Sequence, residues 1–201
     1  MQGEASGASS KKQQGYMIMF NCAACGGRVG VKSVLPSYEI DLGMKVRLIN
    51  SVIRETCAAC EDGSIEIPDL EGLAKAAAMA RALVPIRLTG KEVRFMRNAM
   101  DMTGREFASA MELTPETVSR WENGGRGVGG ASEKLLRHNI CALLHSETAA
   151  FDYDPAEIAR MRIHTAPEDF EFPVMELRRV MVKAGGDTEE AWDREPLRAE
   201  G

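Results

Sequence analysis

The sequence predicts an α+β fold of two domains, a small β domain followed by an all-α domain, with a partly helical C-terminal tail. Three observations predict it. Between Tyr16 and Ile67, short runs of β-branched and aliphatic residues alternate with Gly, Pro and Ser breaks. Between Thr89 and Ser146, helix starts follow one another closely, with apolar residues at helical spacing. Two identical C-x-x-C pairs, Cys22/Cys25 and Cys57/Cys60, lie in the first region, whose own core is too small to need no staple.

The chain has 201 residues, room for one large domain or two small ones. Its net charge of −5 is unevenly placed. From Glu168 to the end there are ten acids and five bases, whereas Arg87 to Asn139 carry nine bases and seven acids. The helical block is therefore mildly basic and the acidity sits in the tail. No apolar run follows the basic start, and no stretch is long enough to span a membrane, so a cytoplasmic location without membrane contact is expected. In that compartment cysteines serve as metal ligands more often than as disulfides.

Residues 1–15 (MQGEASGASSKKQQG) have almost nothing to bury and read as disordered. Met17 and Met19 are each an alternative start, and Met19 opens directly on the first cysteine pair. Residues 16–67 form the β domain. Its strand signals are Val29, Val31 and Val34, then Val46, Leu48 and Ile49, then Val52 and Ile53. Residues 68–87 are a linking segment with an Ala-rich helix from Asp69, as N-cap, to Leu83, ended by Pro85. Residues 88–146 are the helical domain. Residues 147–185 form an extension in which Asp154-Pro155 opens a short helix to about Ile163. A second helix is expected from Pro173 to Ala184, with Val174, Leu177, Val180, Met181 and Ala184 on one face and Gly185 past its end. Residues 186–201 are an acidic tail, expected to be frayed or disordered.

The paired cysteines are candidate ligands of one structural ion. Two thiolates on a tight turn can grip one tetrahedral site, and Gly26-Gly27 and Glu61-Asp62-Gly63 supply the turns. Four thiolates, Cys22, Cys25, Cys57 and Cys60, suit Zn²⁺ in a closed, non-catalytic site, one ion per chain. Two disulfides, or free thiols, are the competing reading. The 31 residues between the pairs leave room for a β-hairpin or meander. Cys141 lies among Leu135, Leu136, Ile140, Leu143 and Leu144 and reads as a buried helical residue. His138, His145 and His164 share no metal spacing and read as structural or surface residues.

The helical domain contains three helix starts. The first helix, about Lys91 to Met100, puts Val93, Met96, Arg97 and Met100 on one side. The second opens at Thr103, where Glu106 completes a capping box, and turns Phe107, Ala108 and Met111 inward. Only Glu112 and Leu113 separate it from Thr114, the N-cap of the third, with Pro115 at N1 and Thr117 at N3. The third runs to Asn123 and stops at Gly124-Gly125, with Val118 and Trp121 inward. Small Ala108 lets the third helix cross close over the second. Any packed helices would carry caps and buried Met; the short turn and Ala108 argue for a helix-turn-helix. In that arrangement the third helix enters the major groove of double-stranded DNA. Glu116, Thr117, Ser119, Arg120 and Asn123 then face outward as base readers, Arg120 toward guanine and Glu116 toward cytosine. Thr103, Gly104, Arg105 and Thr114, at helix N-termini, and Arg126 in the following loop are phosphate candidates. No nucleophile–base pair, phosphate loop or open metal site appears, so no enzyme is expected.

The stretch Arg105 to Gly124 (REFASAMELTPETVSRWENG) resembles the Cro/phage-repressor (XRE) class of helix-turn-helix, most specifically in its S-R-W-E-N-G ending. That resemblance implies a structural ion pair between Arg97 and Glu122. The class usually has Gly in the turn; here Glu112 stands there and must take a left-handed or adjusted geometry. The order of two cysteine knuckles, linking helix and Cro-like unit, over about Cys22 to His145, resembles the MqsA-type (YgiT-like zinc-finger) antitoxins. This second resemblance implies zinc on the four cysteines, a cognate toxin held by the zinc domain, and a homodimer that represses its own operon at a palindromic operator. The alternative is a zinc-containing XRE-family regulator, phage-like or chromosomal, without a toxin partner. The helix from Ala131 to Ser146 and the tail are the candidate dimer surfaces.

Overall fold

The structure, a computed structural model, describes residues 22, 24–27, 29–148, 150–167, 172, 174–184 and 186–194. The disorder expected for residues 1–15 and for 195–201 lies outside them. Strands β1 (Val29–Asp41), β2 (Lys45–Cys57) and β3 (Gly63–Glu66) are followed by helices α1 (Leu70–Ala82), α2 (Gly90–Ala99), α3 (Gly104–Ala110), α4 (Pro115–Glu122), α5 (Gly130–Leu144) and α6 (Pro155–Arg160). Strands β4 (Met175–Ala184) and β5 (Asp187–Arg194) close the described chain. The result is a mixed α+β molecule, with the N-terminal sheet and its cysteines first and the helices after.

The segment between the cysteine pairs is one long antiparallel hairpin of two 13-residue strands, not a series of short ones. The breakers Pro36, Asn50 and Ser51 do not end the strands because they meet across the ladder. Leu35 pairs with Val52 and Ser37 with Ile49, so all three sit in one bulge. Asn50 takes a positive φ of 48° there. The Ser51 hydroxyl donates to the Ile49 carbonyl and accepts from the Arg179 amide at 2.8 Å. The bulge thus also fastens the C-terminal part of the chain.

The C-terminal extension corrects two expectations. Residues 175–184 form a strand, not a helix, and Asp187–Arg194 pair with them instead of fraying. Both periods fit this stretch: Met175 and Leu177 are buried two residues apart, although Val174, Leu177, Val180 and Met181 also share a helical face. Tertiary pairing decides between them. β2 offers Val46–Ile49 as an unpaired edge, and β4 takes it in parallel register. Where a helix end was expected, Ala184 pairs with Asp187 across a tight reversal of the chain, and Gly186 takes φ 99°. The strand order is β1-β2-β4-β5, with β3 also on β2.

Helix α1 lies between the sheet and the other helices. Its N-cap Asp69 accepts from the Gly72 amide. Nine of its thirteen residues are buried, five of them alanines, whose small side chains let layers approach on both sides. Trp192 of β5, almost fully buried, donates from Nε1 to the Asp69 carbonyl at 3.0 Å. A continuous core runs from Val46 and Leu48 through Leu73 and Met79 to Met96, Phe107, Trp121 and Leu136. Cys141 is fully buried within it, and burial pushes its thiol up to about 12.

Two buried arginines fix the loop joining α1 to α2. Arg81 pairs with Glu92 at 2.6 Å and donates to the carbonyls of Ile86 and Arg87. Arg137 of α5 pairs with Glu133 at 2.9 Å and donates to the carbonyls of Ala82, Val84 and Ile86. Loop carbonyls that burial would orphan are satisfied by charged donors. Helices α2 and α5 are thereby tied to the end of α1 and its loop.

Candidate nucleic-acid interface and metal centre

Local sequence alone dictates the unit α2–α4. Thr89 and Thr103 each complete a capping box, with Glu92 and Glu106 at N3. Thr114 caps α4 by accepting from the Thr117 amide, with Pro115 at N1. The α3–α4 turn is tight: the Leu113 amide donates to the Ala108 carbonyl at 2.8 Å, and Glu112 sits at φ 52°. Phe107, Ala108, Met111, Val118 and Trp121 are buried between the helices. Gly90 was not singled out in the sequence, yet it is required. A Cβ there would lie 2.5 Å from the Trp121 carbonyl oxygen, so α2 begins directly against the end of α4.

Arg97 Nε donates to Glu122 Oε1 at 2.6 Å, and the two side chains are only 13% and 8% exposed. Arg94, absent from the sequence-derived site, adds a second guanidinium on Glu122 Oε2 at 3.2 Å and donates to Asn123 Oδ1 at 2.8 Å. The Asn123 amide group in turn donates to Ser119 Oγ. Both ends of the Asn123 side chain are thus engaged within the unit.

Thr103, Arg105, Thr114, Glu116, Ser119, Arg120, Asn123 and Arg126 are exposed, and Gly104 and Thr117 half-buried. Thr117 Oγ1 lies 3.1 Å from Thr114 Oγ1. Its own amide, the Thr114 hydroxyl and nearby Arg120 hold the Glu116 carboxyl below the usual range, so it is an acceptor at neutral pH. Arg120 has no ion-pair partner among the described residues, and its guanidinium is available.

The four cysteines close a second site at the far end of the hairpin. Cys22 and Cys60 Sγ are 3.7 Å apart, Cys25 and Cys57 Sγ 3.6 Å, and all four lie within 4.8 Å of one another. A disulfide requires about 2.05 Å, and all five cysteines are free. The edge of a tetrahedron with metal–sulfur bonds of about 2.3 Å is about 3.8 Å, so the spacing is that of a thiolate cage. The knuckles match in backbone: Gly26 (φ 69°) and Glu61 (φ 59°) follow the second cysteine of each. Their amides donate to the carbonyls of Cys22 and Cys57. The Gly27 amide donates to Cys25 Sγ and the Ala59 amide to Cys57 Sγ. Amides of Ala59 and Cys60 lower the Cys57 thiol to about 7. The Asp62 amide lowers Cys60, but the neighbouring Cys25, Cys22 and Cys57 and burial outweigh it and push Cys60 up to about 12. Such crowding of thiols is what a bound cation relieves, and the cluster can hold a metal ion. Gly30, also unremarked in the sequence, leaves room for Ala58, which would lie 2.9 Å from a Cβ there.

No helix among the described residues is long and apolar enough to cross a membrane. No curated protein and no solved structure matches the chain. A family model described as Helix-turn-helix matches residues 93–130, from α2 to the start of α5. Family match, capped helices, tight turn and exposed third helix agree: residues 93–130 form a helix-turn-helix domain.

Proposed function

We propose that the protein is a sequence-specific repressor that binds double-stranded DNA through α4. The observation that carries this reading is the exposed, unpaired Arg120 one turn from the ionised Glu116 on the outer face of a short, capped helix. Arg120 donates two hydrogen bonds to guanine O6 and N7, and Glu116 accepts from cytosine N4. Ser119, whose hydroxyl accepts from Asn123 and keeps its own O–H to donate, is the third reader. Asn123 and Thr117, tied internally, shape the helix end and its N-terminus. Thr103, Gly104, Arg105 and Thr114 contact phosphates at the helix N-termini, with Arg126 beside them. Arg97 and Glu122 hold α4 against α2. Zinc, one ion per chain, sits on Cys22, Cys25, Cys57 and Cys60 in a purely structural role.

The protein binds as a homodimer to a palindromic operator with half-sites about one helical turn apart. The resemblance to MqsA-type antitoxins supports a further role: neutralising a cognate toxin through the zinc domain while repressing the shared operon. One observation favours the alternative, a zinc-containing regulator without a toxin. The C-terminal strands, which lie outside the resemblance, occupy the β2 edge and make the sheet one body with the helices. In vitro selection of DNA on the full chain followed by footprinting tests the repressor reading. Two protected half-sites are expected; a single unrepeated site counts against the dimer. A pull-down from the native host separates the antitoxin reading from its alternative.

A further inference from the structure

Beside the helix-turn-helix unit lies a cavity of about 920 Å³. Sites for small organic molecules span about 300–1,000 Å³ and favour junctions between structural units. This one is such a junction. Its walls are the β1–β2 turn, the α1–α2 loop, the first turns of α2, the end of α4, and Phe172 and Val174 before β4. Met44, Ile86, Phe172 and Val174 give it an apolar floor. The Arg81 guanidinium stacks 4.6 Å from the Phe172 ring centre and sets that side chain in the wall.

The charge lining is one-sided. Among the described residues, Lys45, Arg81, Arg87, Lys91 and Arg94 of the lining face two carboxylates, Glu92 and Glu122. Both carboxylates are already engaged, Glu92 by Arg81 and Glu122 by Arg94 and Arg97. Lys45 on β2 and Lys91 on α2 are exposed on adjoining segments, the β1–β2 turn lying against the Lys91 carbonyl, and neither has an ion-pair partner among the described residues. An apolar floor under unpaired ammonium groups complements an anion with an apolar body.

We propose that this cavity binds a small organic anion with an aromatic or alkyl body, its acid group met by Lys45 and Lys91. The occupant touches the sheet on one side and the end of α4, beside the Arg94–Glu122–Asn123 bonds, on the other. Binding therefore couples to α4, and by linkage the operator and the anion change each other's affinity by the same factor. That coupling rests on the DNA-binding reading; the cavity's occupancy does not.

The test uses 8-anilinonaphthalene-1-sulfonate as the probe, titrated by fluorescence into the full-length folded chain without DNA. Saturable one-to-one binding with a blue shift is expected. The double variant Lys45→Glu/Lys91→Glu, altered only at exposed positions, binds about tenfold more weakly with unchanged melting, as reversal of two rim charges implies. Val174→Trp fills the floor and abolishes binding with both lysines intact. Absence of saturable binding, or equal affinity in the double variant, overturns the proposal. So does a double variant that keeps its probe affinity but binds DNA with a shallower salt dependence, since the lysines are then phosphate contacts. In a second arm, saturating probe shifts operator affinity; probe binding with no shift refutes the coupling. Because the first arm contains no DNA, failure of the repressor reading leaves its result intact.

Discussion

Arg97 of α2 reaches across to Glu122 at the end of α4 through two hydrogen bonds, 2.6 Å from Nε and 3.3 Å from Nη2. The same guanidinium donates to the Met102 carbonyl at 2.7 Å, so one side chain ties α4 to the α2–α3 turn. Removing it leaves a mostly buried carboxylate with only Arg94, which is half exposed. Arg97→Ala is expected to cost about 1–3 kcal/mol of stability, the range for a buried group losing its partner. Arg94→Ala should cost less than about 1 kcal/mol, as a solvent-screened pair does. Denaturant titrations of both variants check the ranking; equal losses would contradict it.

The cysteine cluster predicts one divalent ion per chain, which elemental analysis of purified protein should show to be zinc. Cys57→Ser, or a strong chelator, should release it. Hydrogen exchange should then speed up in 29–35 and 52–57, the strand ends that carry the knuckles. Amides of α2–α5 should stay protected, because their core does not include the knuckles. A preparation with no metal, or with uniform loss of protection, would contradict this division.

Trp192 tests the C-terminal hairpin. Its ring is buried against α1, Arg179 stacks 5.4 Å from its centre, and its Nε1 bonds the Asp69 carbonyl. Trp192→Ala should destabilise the protein by about 3–5 kcal/mol, as large-to-small substitutions in a core do. A change under about 0.5 kcal/mol in a denaturant titration is the behaviour of a surface position and would mean that β5 is dispensable.

These cases show why some elements can be read from sequence and others not. Helices α2–α4 announce themselves locally: Thr89–Glu92, Thr103–Glu106 and Thr114-Pro115 fix each start within four residues, whatever lies elsewhere. The four-cysteine cluster is legible because few other uses explain two identical knuckles. Strand β4 is not, since its apolar residues satisfy both periods and the deciding partner, β2, is 129 residues away at the Arg47–Glu176 contact. Gly185-Gly186 carried a hairpin signal that the helical pattern concealed. Nothing local marks the Arg81–Glu92 and Arg137–Glu133 pairs, which are made only when the fold buries them.

The capping box of α3 has a pH signature. The Thr103 amide and hydroxyl hold the Glu106 carboxyl below its ordinary value of 4.5. A depressed folded value means that this stabilisation is fully present above the unfolded value and is lost as pH falls through the folded one. The stability difference between wild type and Glu106→Ala should therefore be constant from neutral pH down to about 5 and shrink in more acid solution. Thermal melts across that series check it; a difference that persists unchanged into strong acid would show that the carboxylate's charge plays no part.

The most direct measurement is competition gel-shift of the selected operator against random DNA, comparing wild type with Arg120→Ala. The account predicts that Arg120→Ala keeps its weak binding to random DNA and loses operator preference, by about 1–3 kcal/mol for each base contact removed. Unchanged discrimination between operator and random DNA would contradict the assignment of α4 as the reading helix.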